Sequence, residues 1–205
     1  MLLPLVALAV GGLIGLASGG KLRHAAGRRI AWWWLLVAGF GLELAADRWL
    51  TGSWGYVAMI AGPLCLLGWA AGNARLTGVV FVALGVFANA LVLAVDQGMP
   101  VEHAALVRAA VVSSKTAAVT LSGHRHHLAS AADHLRFLDD RIALGPTRQV
   151  VSIGDVILAV GTASLVVHLL HYQPRYQRSR RPRWAAEGIG ERLARTLERR
   201  GPSVT

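Results

Sequence analysis

Three ionisable groups, Glu43, Asp155 and His168, lie among apolar neighbours, and Asn89 is polar there but uncharged. Glu43 lies near the end of the apolar run 30–46, Asn89 lies inside the run 76–95, and Asp155 opens the run 151–171. An ionisable group at the centre of a lipid-embedded helix costs at least about 2.5–3.5 kcal/mol, so such groups are functional candidates by default. Glu43, Asn89 and Asp155 form a candidate polar cluster. Asp155 with Asp139 or Asp140 is a candidate catalytic pair, because two carboxylates sharing a proton can activate a water. Ser152-Ile153-Gly154-Asp155 also supports a structural reading. Ser-x-x-Asp ahead of an apolar run is a helix start, with Ser152 as N-cap and Asp155 at the acidic third position. His168 and His171 fit an interfacial position with their tips toward water.

A second group is rich in imidazole. His103, His124, His126, His127 and His134 share the segment 96–150 with Asp133, Asp139 and Asp140. Imidazole and carboxylate suit zinc and other transition metals. The His124-Arg125-His126-His127 run is not a recognised ligand spacing, and Arg125 opposes a cation. A solvated or headgroup-facing cluster is the expectation, with no metal and no cofactor. The lone Cys65 has no disulfide partner and reads as a small buried hydrophobe.

The elements that must hold these residues follow from composition. Of 205 residues, 54% are hydrophobic and 16% charged, with a formal net charge of +10; mean hydropathy is +0.48. Soluble domains carry about 25% charged residues. Residues 1–20 have no charged side chain, whereas the segment 173–205 is dense in arginine. This pattern excludes a soluble globular protein, and it excludes disorder along most of the length. It also argues against nucleic acid as the partner of the basic charge, which sits in blocks beside long apolar runs. A bilayer core of about 30 Å needs about 20 apolar residues of helix. Five stretches approach that length: 1–18, 30–46, 54–71, 76–95 and 151–171. All are expected to be helical, since open strands leave backbone groups unpaired in lipid. The expected class is all-α and polytopic, with a membrane domain over 1–172 and a basic tail over 173–205. The first run lacks a positive region ahead of it, unlike a cleaved signal, and reads as a retained span.

Charge sets the expected orientation. Lys21, Arg23, Arg28 and Arg29, then Arg75, then the arginine-rich tail fall on one side of a five-span chain. The opposite side holds Asp47 and Arg48 and the nearly balanced segment 96–150. The N-terminus is therefore expected outside and the C-terminus inside, with 96–150 as a long outer loop containing a helix near the membrane over 101–119. Trp32, Trp33 and Trp34 fit an interfacial belt. Gly11-x-x-x-Gly15 has the spacing for close helix contact. In the tail, Arg175, Arg178, Arg180, Arg181 and Arg183 form a juxtamembrane strip. Ile189, Leu193 and Leu197 then follow at helical spacing over 184–200. Such a segment attracts anionic headgroups by roughly 1 kcal/mol per nearby Lys or Arg, and it also serves as a topology determinant.

Asn89, Met99-Pro100-Val101, a loop with His and Asp, and Ser152-Ile153-Gly154-Asp155 occur in the order found in domain-of-unknown-function family 5317, which the chain resembles over roughly 1–171. That family comprises multi-pass proteins, largely actinobacterial, with no established activity, and the resemblance implies a bacterial plasma-membrane location. A fainter similarity is to lipoprotein signal peptidase, an aspartic peptidase whose last span begins with Ala-Asp, an aliphatic residue and Gly. Here Gly154-Asp155-Val156 through Gly161 is similar, and the resemblance implies catalysis by Asp155. Asn89 with Asp96 matches that family's second motif loosely, with Asp139 and Asp140 as other second carboxylates. The Asn preceding its Ala-Asp is replaced by Ser152 or Ile153. Three functions are in view. The first is a non-enzymatic scaffold, binding protein or partner subunit, working with another membrane protein or a second copy. The second is an aspartate-dependent hydrolase at the outer face. The third is a small carrier using Glu43, Asn89 and Asp155.

Overall fold

A computed structural model describes residues 3–112, 126–172 and 195–196. The architecture is predominantly helical. The main elements are α1 (Leu3–Ala17), a short α2 (Leu22–Ala26), α3 (Trp33–Arg48), α4 (Gly52–Gly72), α5 (Val79–Val95) and α7 (Ile153–His171). Between α5 and α7 lie β1 (Met99–Val101), α6 (His103–Arg108), β2 (His126–Leu128), β3 (Ile142–Leu144) and β4 (Gln149–Val151). Two helices, α4 at 21 residues and α7 at 19, are long and apolar enough to cross a membrane. At 1.5 Å per residue they span about 30 Å. α1 and α5 are equally apolar but shorter.

The long helices pack mainly in one spatial order, α1–α7–α5–α4–α3, so that α7 lies between α1 and α5. Small residues make the contacts of α1. α1 buries Ala7, Gly11 and Gly15 while Leu5, Leu8, Leu13 and Ile14 stay exposed, Leu13 by 70%. α5 likewise exposes Val80, Phe81, Leu84 and Phe87. Large apolar side chains outside and small ones at the contact, as on α1, is a pattern that helices in lipid use.

The α5–α7 seam depends on glycines seven residues apart on each helix. A Cβ on Gly85 would come within 2.6 Å of the Gly154 carbonyl oxygen. A Cβ on Gly78, the residue before α5, would come within 2.6 Å of the Gly161 oxygen. On the other side of α7, a Cβ on Gly11 would lie 2.7 Å from the Ala163 oxygen. At the far end of that seam the backbone N–H of Lys21 and the ring of His24 both reach the Leu170 oxygen, at 2.9 Å and 3.0 Å. The Arg28 guanidinium lies over the Tyr172 ring, 4.6 Å from its centroid.

Two apolar clusters fill the α3–α4–α5 side. One joins Leu66, Trp69 and Ala70 to Leu76, Val79, Val82 and Val86. The other joins Ala46, Ala58, Met59, Val92 and Leu93 to Met99, with Leu135 and Leu138 packed against it. The second cluster fastens the segment after α5 over one end of the helices.

That segment departs from an all-helical class. β1 is the middle of a small parallel arrangement. On one edge it pairs with β2, Met99 opposite His126. On the other, Asp140 N–H donates to the Pro100 oxygen (3.0 Å) and Glu102 N–H to the Asp140 oxygen (3.0 Å). β3 and β4 form an antiparallel hairpin that leads into α7. The helix expected within 101–119 is α6, which ends at Arg108, and Ala110 then turns the chain with φ +55°; residues 113–119 lie outside the described residues. α5 begins at Val79 rather than 76, because Gly78 adopts φ +92°, which favours glycine. The charged connection 21–29 contains the short α2.

Candidate functional site

The polar residues of α5 and α7 meet at the start of α7. The Asp155 N–H donates to Ser152 Oγ (3.0 Å), and the Ser152 N–H donates back to Asp155 Oδ2 (3.2 Å), completing a capping box. Asn89 Nδ2 donates to Asp155 Oδ1 (2.7 Å), and Ser152 Oγ donates to Asn89 Oδ1 (3.0 Å). The result is a closed ring across two helices. The Ser152 hydroxyl uses both its donor and its acceptor capacity, both Asp155 oxygens accept, and the Asn89 amide has both ends engaged. Ser152 is fully buried, so an unmatched partner here would carry its full desolvation cost. Gly154 makes the approach possible, since a Cβ there would overlap Asn89 Oδ1.

Among the described residues, the carboxylate of Asp155 has Asn89 and Ser152 as its hydrogen-bond partners. A carboxylate held this way, at a helix N-terminus, is electrostatically satisfied and positionally fixed. Glu43 lies elsewhere, on the α3–α4 interface. A Cβ on Gly62 would come within 2.8 Å of its Cγ. Asp139 and Asp140 lie at the outer edge of β1 and are buried. Arg175, Arg178, Arg180, Arg181 and Arg183 fall outside the described residues, as do His124 and nearly all of the segment 184–200. Cys65 is half-buried.

The segment between α5 and α7 pairs three imidazoles with three aspartates. His134 Nδ1 lies 3.3 Å from Asp96 Oδ1, His127 Nε2 lies 3.2 Å from Asp133 Oδ1, and His126 Nε2 lies 3.7 Å from Asp140 Oδ2. Asp96 was a marginal sequence candidate, but its role is clear in three dimensions. Its carboxylate also accepts the His134 and Leu135 N–H groups at 2.8 Å and 3.2 Å, tying the 134–138 turn to the end of α5. Burial pushes the Asp133 carboxyl up, but the Ser130 N–H and His127 outweigh it and leave it below the ordinary value. Burial first, then the charges of Asp133 and Asp96, push Asp139 upward against Arg141 and Arg136. Among the described residues no group of three or more His, Cys, Asp or Glu is placed to hold a metal ion. A cavity of about 270 Å³, lined by Leu50, Thr51, Tyr56, Met59 and Gln97 among others, offers no carboxylate, imidazole or thiol.

Asn73 is a structural residue that sequence reasoning missed. Its side chain exchanges two hydrogen bonds with the Ala31 backbone (3.0 and 2.8 Å) and donates to the Trp69 oxygen (2.9 Å). Its only signal was an Asn between two apolar runs.

These features define a helical protein with helices of membrane-crossing length, outward-facing apolar side chains and one interhelical polar ring. The chain belongs to a family of unknown function, DUF5317, whose model matches residues 28–167. The match takes in Asn89, β1 and the Ser152–Asp155 cap, and it leaves α1 and α2 outside. No curated protein and no solved structure matches the chain.

Proposed function

We propose that the protein is a five-span plasma-membrane protein, N-terminus outside and C-terminus inside, that works by binding, as a scaffold or as a partner subunit of another membrane protein, rather than by catalysis. α1, α3, α4, α5 and α7 are the spans, and the segment 96–150 covers their outer ends. Support for the spans comes from the outward apolar faces of α1 and α5 and from the basic residues concentrated around 21–29, at Arg75 and in the tail. The tail arginines, Arg175 to Arg183, hold anionic headgroups on the inner leaflet.

One observation favours binding over hydrolysis. Asp155, the residue most suited to catalysis by type and position, has each carboxylate oxygen engaged by a structural hydrogen bond, from Asn89 and from the Ser152 N–H. A proton-sharing hydrolase needs a second carboxylate within hydrogen-bond reach of the same water. Single-cysteine labelling in a Cys65→Ser background tests the topology. Ser130→Cys is expected to react with an impermeant maleimide in intact cells, and Ser179→Cys only after permeabilisation; the reverse pattern overturns the orientation. An Asp155→Asn chain that folds and fully complements a deletion phenotype supports the structural role. One that folds normally but loses the phenotype supports a catalytic carboxylate instead.

A further inference from the structure

We propose that Asp139 is a buried protonation site that makes the cover over α3, α4 and α5 pH-responsive: with Asp139 protonated the cover is closed, and ionisation loosens it. The inference does not depend on which side of a membrane the cover faces.

The four aspartates of this segment are not equivalent. Asp96 accepts two backbone N–H groups and pairs with His134. Asp133 accepts the Ser130 N–H at 2.6 Å and pairs with His127. Asp140 pairs with His126. Asp139 is 4% exposed, and among the described residues its buried Oδ1 has no hydrogen-bond partner; the same holds for Oδ1 of Asp140, but the other carboxylate oxygen of Asp140 faces His126. Such an atom is tolerable on a neutral carboxylic acid and costly on a carboxylate.

Its charged neighbours reinforce this. Asp133 and Asp96 face it with like charge, and Arg141 and Arg136 partly compensate. The imidazoles of His127, His134 and His126 are engaged with the other aspartates. A proton on Asp139 therefore removes a desolvated charge and two repulsions at once. The position is also mechanically sensitive. Leu138 immediately before it, with Leu135, packs against the cluster containing Met59, Val92 and Leu93. Asp140 immediately after it is bonded through its backbone to β1. Strain at Asp139 thus acts on both attachments of the cover.

The sign is fixed by linkage. A carboxyl whose folded-state pKa lies above its unfolded value contributes stability that is complete below the unfolded value and is lost as pH rises through the folded one. Deprotonation of the three histidines weakens their pairs in the same direction, so pH dependence alone does not identify the group. The test is hydrogen exchange of the full chain in lipid nanodiscs, corrected for intrinsic rates, between about pH 4 and about pH 8. Wild-type protection over residues 135–144 is expected to fall with rising pH by up to about tenfold for each unit by which the Asp139 pKa exceeds its ordinary value. Asp139→Asn, which mimics the neutral acid, is expected to lose the larger part of that transition and to keep only the change that the histidine pairs contribute. His127→Gln and His134→Gln are expected to retain the transition. A flat wild-type profile overturns the proposal, and so does a transition that survives in full in Asp139→Asn. Should that variant fail to fold, carboxyl carbon-13 titration of wild-type Asp139 decides: a midpoint above the ordinary value supports the proposal, and one at or below it overturns it.

Discussion

α7 has two packed sides, and they are built differently. Toward α5, glycines at heptad spacing bring the backbones together, and the Asn89–Ser152–Asp155 ring fixes which residues face each other. Toward α1, Gly11 and Gly15 allow the same close approach to Ala163, Val167 and Leu170, but the hydrogen bonds lie at the seam's end and mostly use backbone carbonyls. The first seam lies within the family match and most of the second lies outside it. Small residues permit approach in both cases. Only the first adds a side-chain lock, which penalises any slipped register because a slip strands buried polar groups.

The comparison can be broken most readily at Gly154. Replacing it by Val forces a branched side chain into Asn89 and should cost about 3 kcal/mol or more, from overpacking combined with loss of the ring. Thermal unfolding in detergent checks this, and a near-wild-type midpoint would show that the seam is soft. Asn89→Leu comes next. It leaves the Ser152 hydroxyl and Asp155 Oδ1 short of a partner, for an expected loss of about 1–3 kcal/mol by the same measurement. Gly11→Ala should cost less, about 1–2 kcal/mol, since α1 can shift where no side-chain lock holds it. An effect equal to that of Gly154→Val would erase the distinction between the seams.

The smallest effect concerns the segment between α5 and α7. Asp133 has a folded-state pKa below its unfolded value, so its contribution is present above the ordinary carboxylate range and is lost as pH falls through the lower folded value. Asp133→Asn should therefore reduce protection of residues 126–133 at neutral pH and leave it unchanged at strongly acid pH. Hydrogen exchange at the two pH values distinguishes this from a uniform loss.

What the sequence revealed depended on range. The Ser152–Asp155 cap was legible because it is local: four residues carry the pattern and its reason. Asn89 was legible as a polar residue in an apolar helix, but its pairing with Asp155 was only a guess, because register between helices 66 positions apart is set by tertiary contact. Glu43 was grouped with them by depth, yet it faces Gly62 on another interface. The runs of apolar residues gave the long helices to within a few residues. They could not give β1, whose three residues are too few to show alternation and whose Pro100 speaks against a strand. Asn73 was invisible for the same reason as the Asn89 pairing, since its partner Ala31 lies across a turn and a helix.

The spatial order of the helices also constrains how the protein is made. α1 leaves the ribosome before the helix it packs against, α7, and α3, α4 and α5 are synthesised between them. Until α7 is made, the glycine face of α1 lacks the partner it has in the folded chain. A chain that stops before residue 153 would leave that face without this partner, so a nascent-chain chaperone or the insertion machinery has a defined surface to shield until α7 arrives.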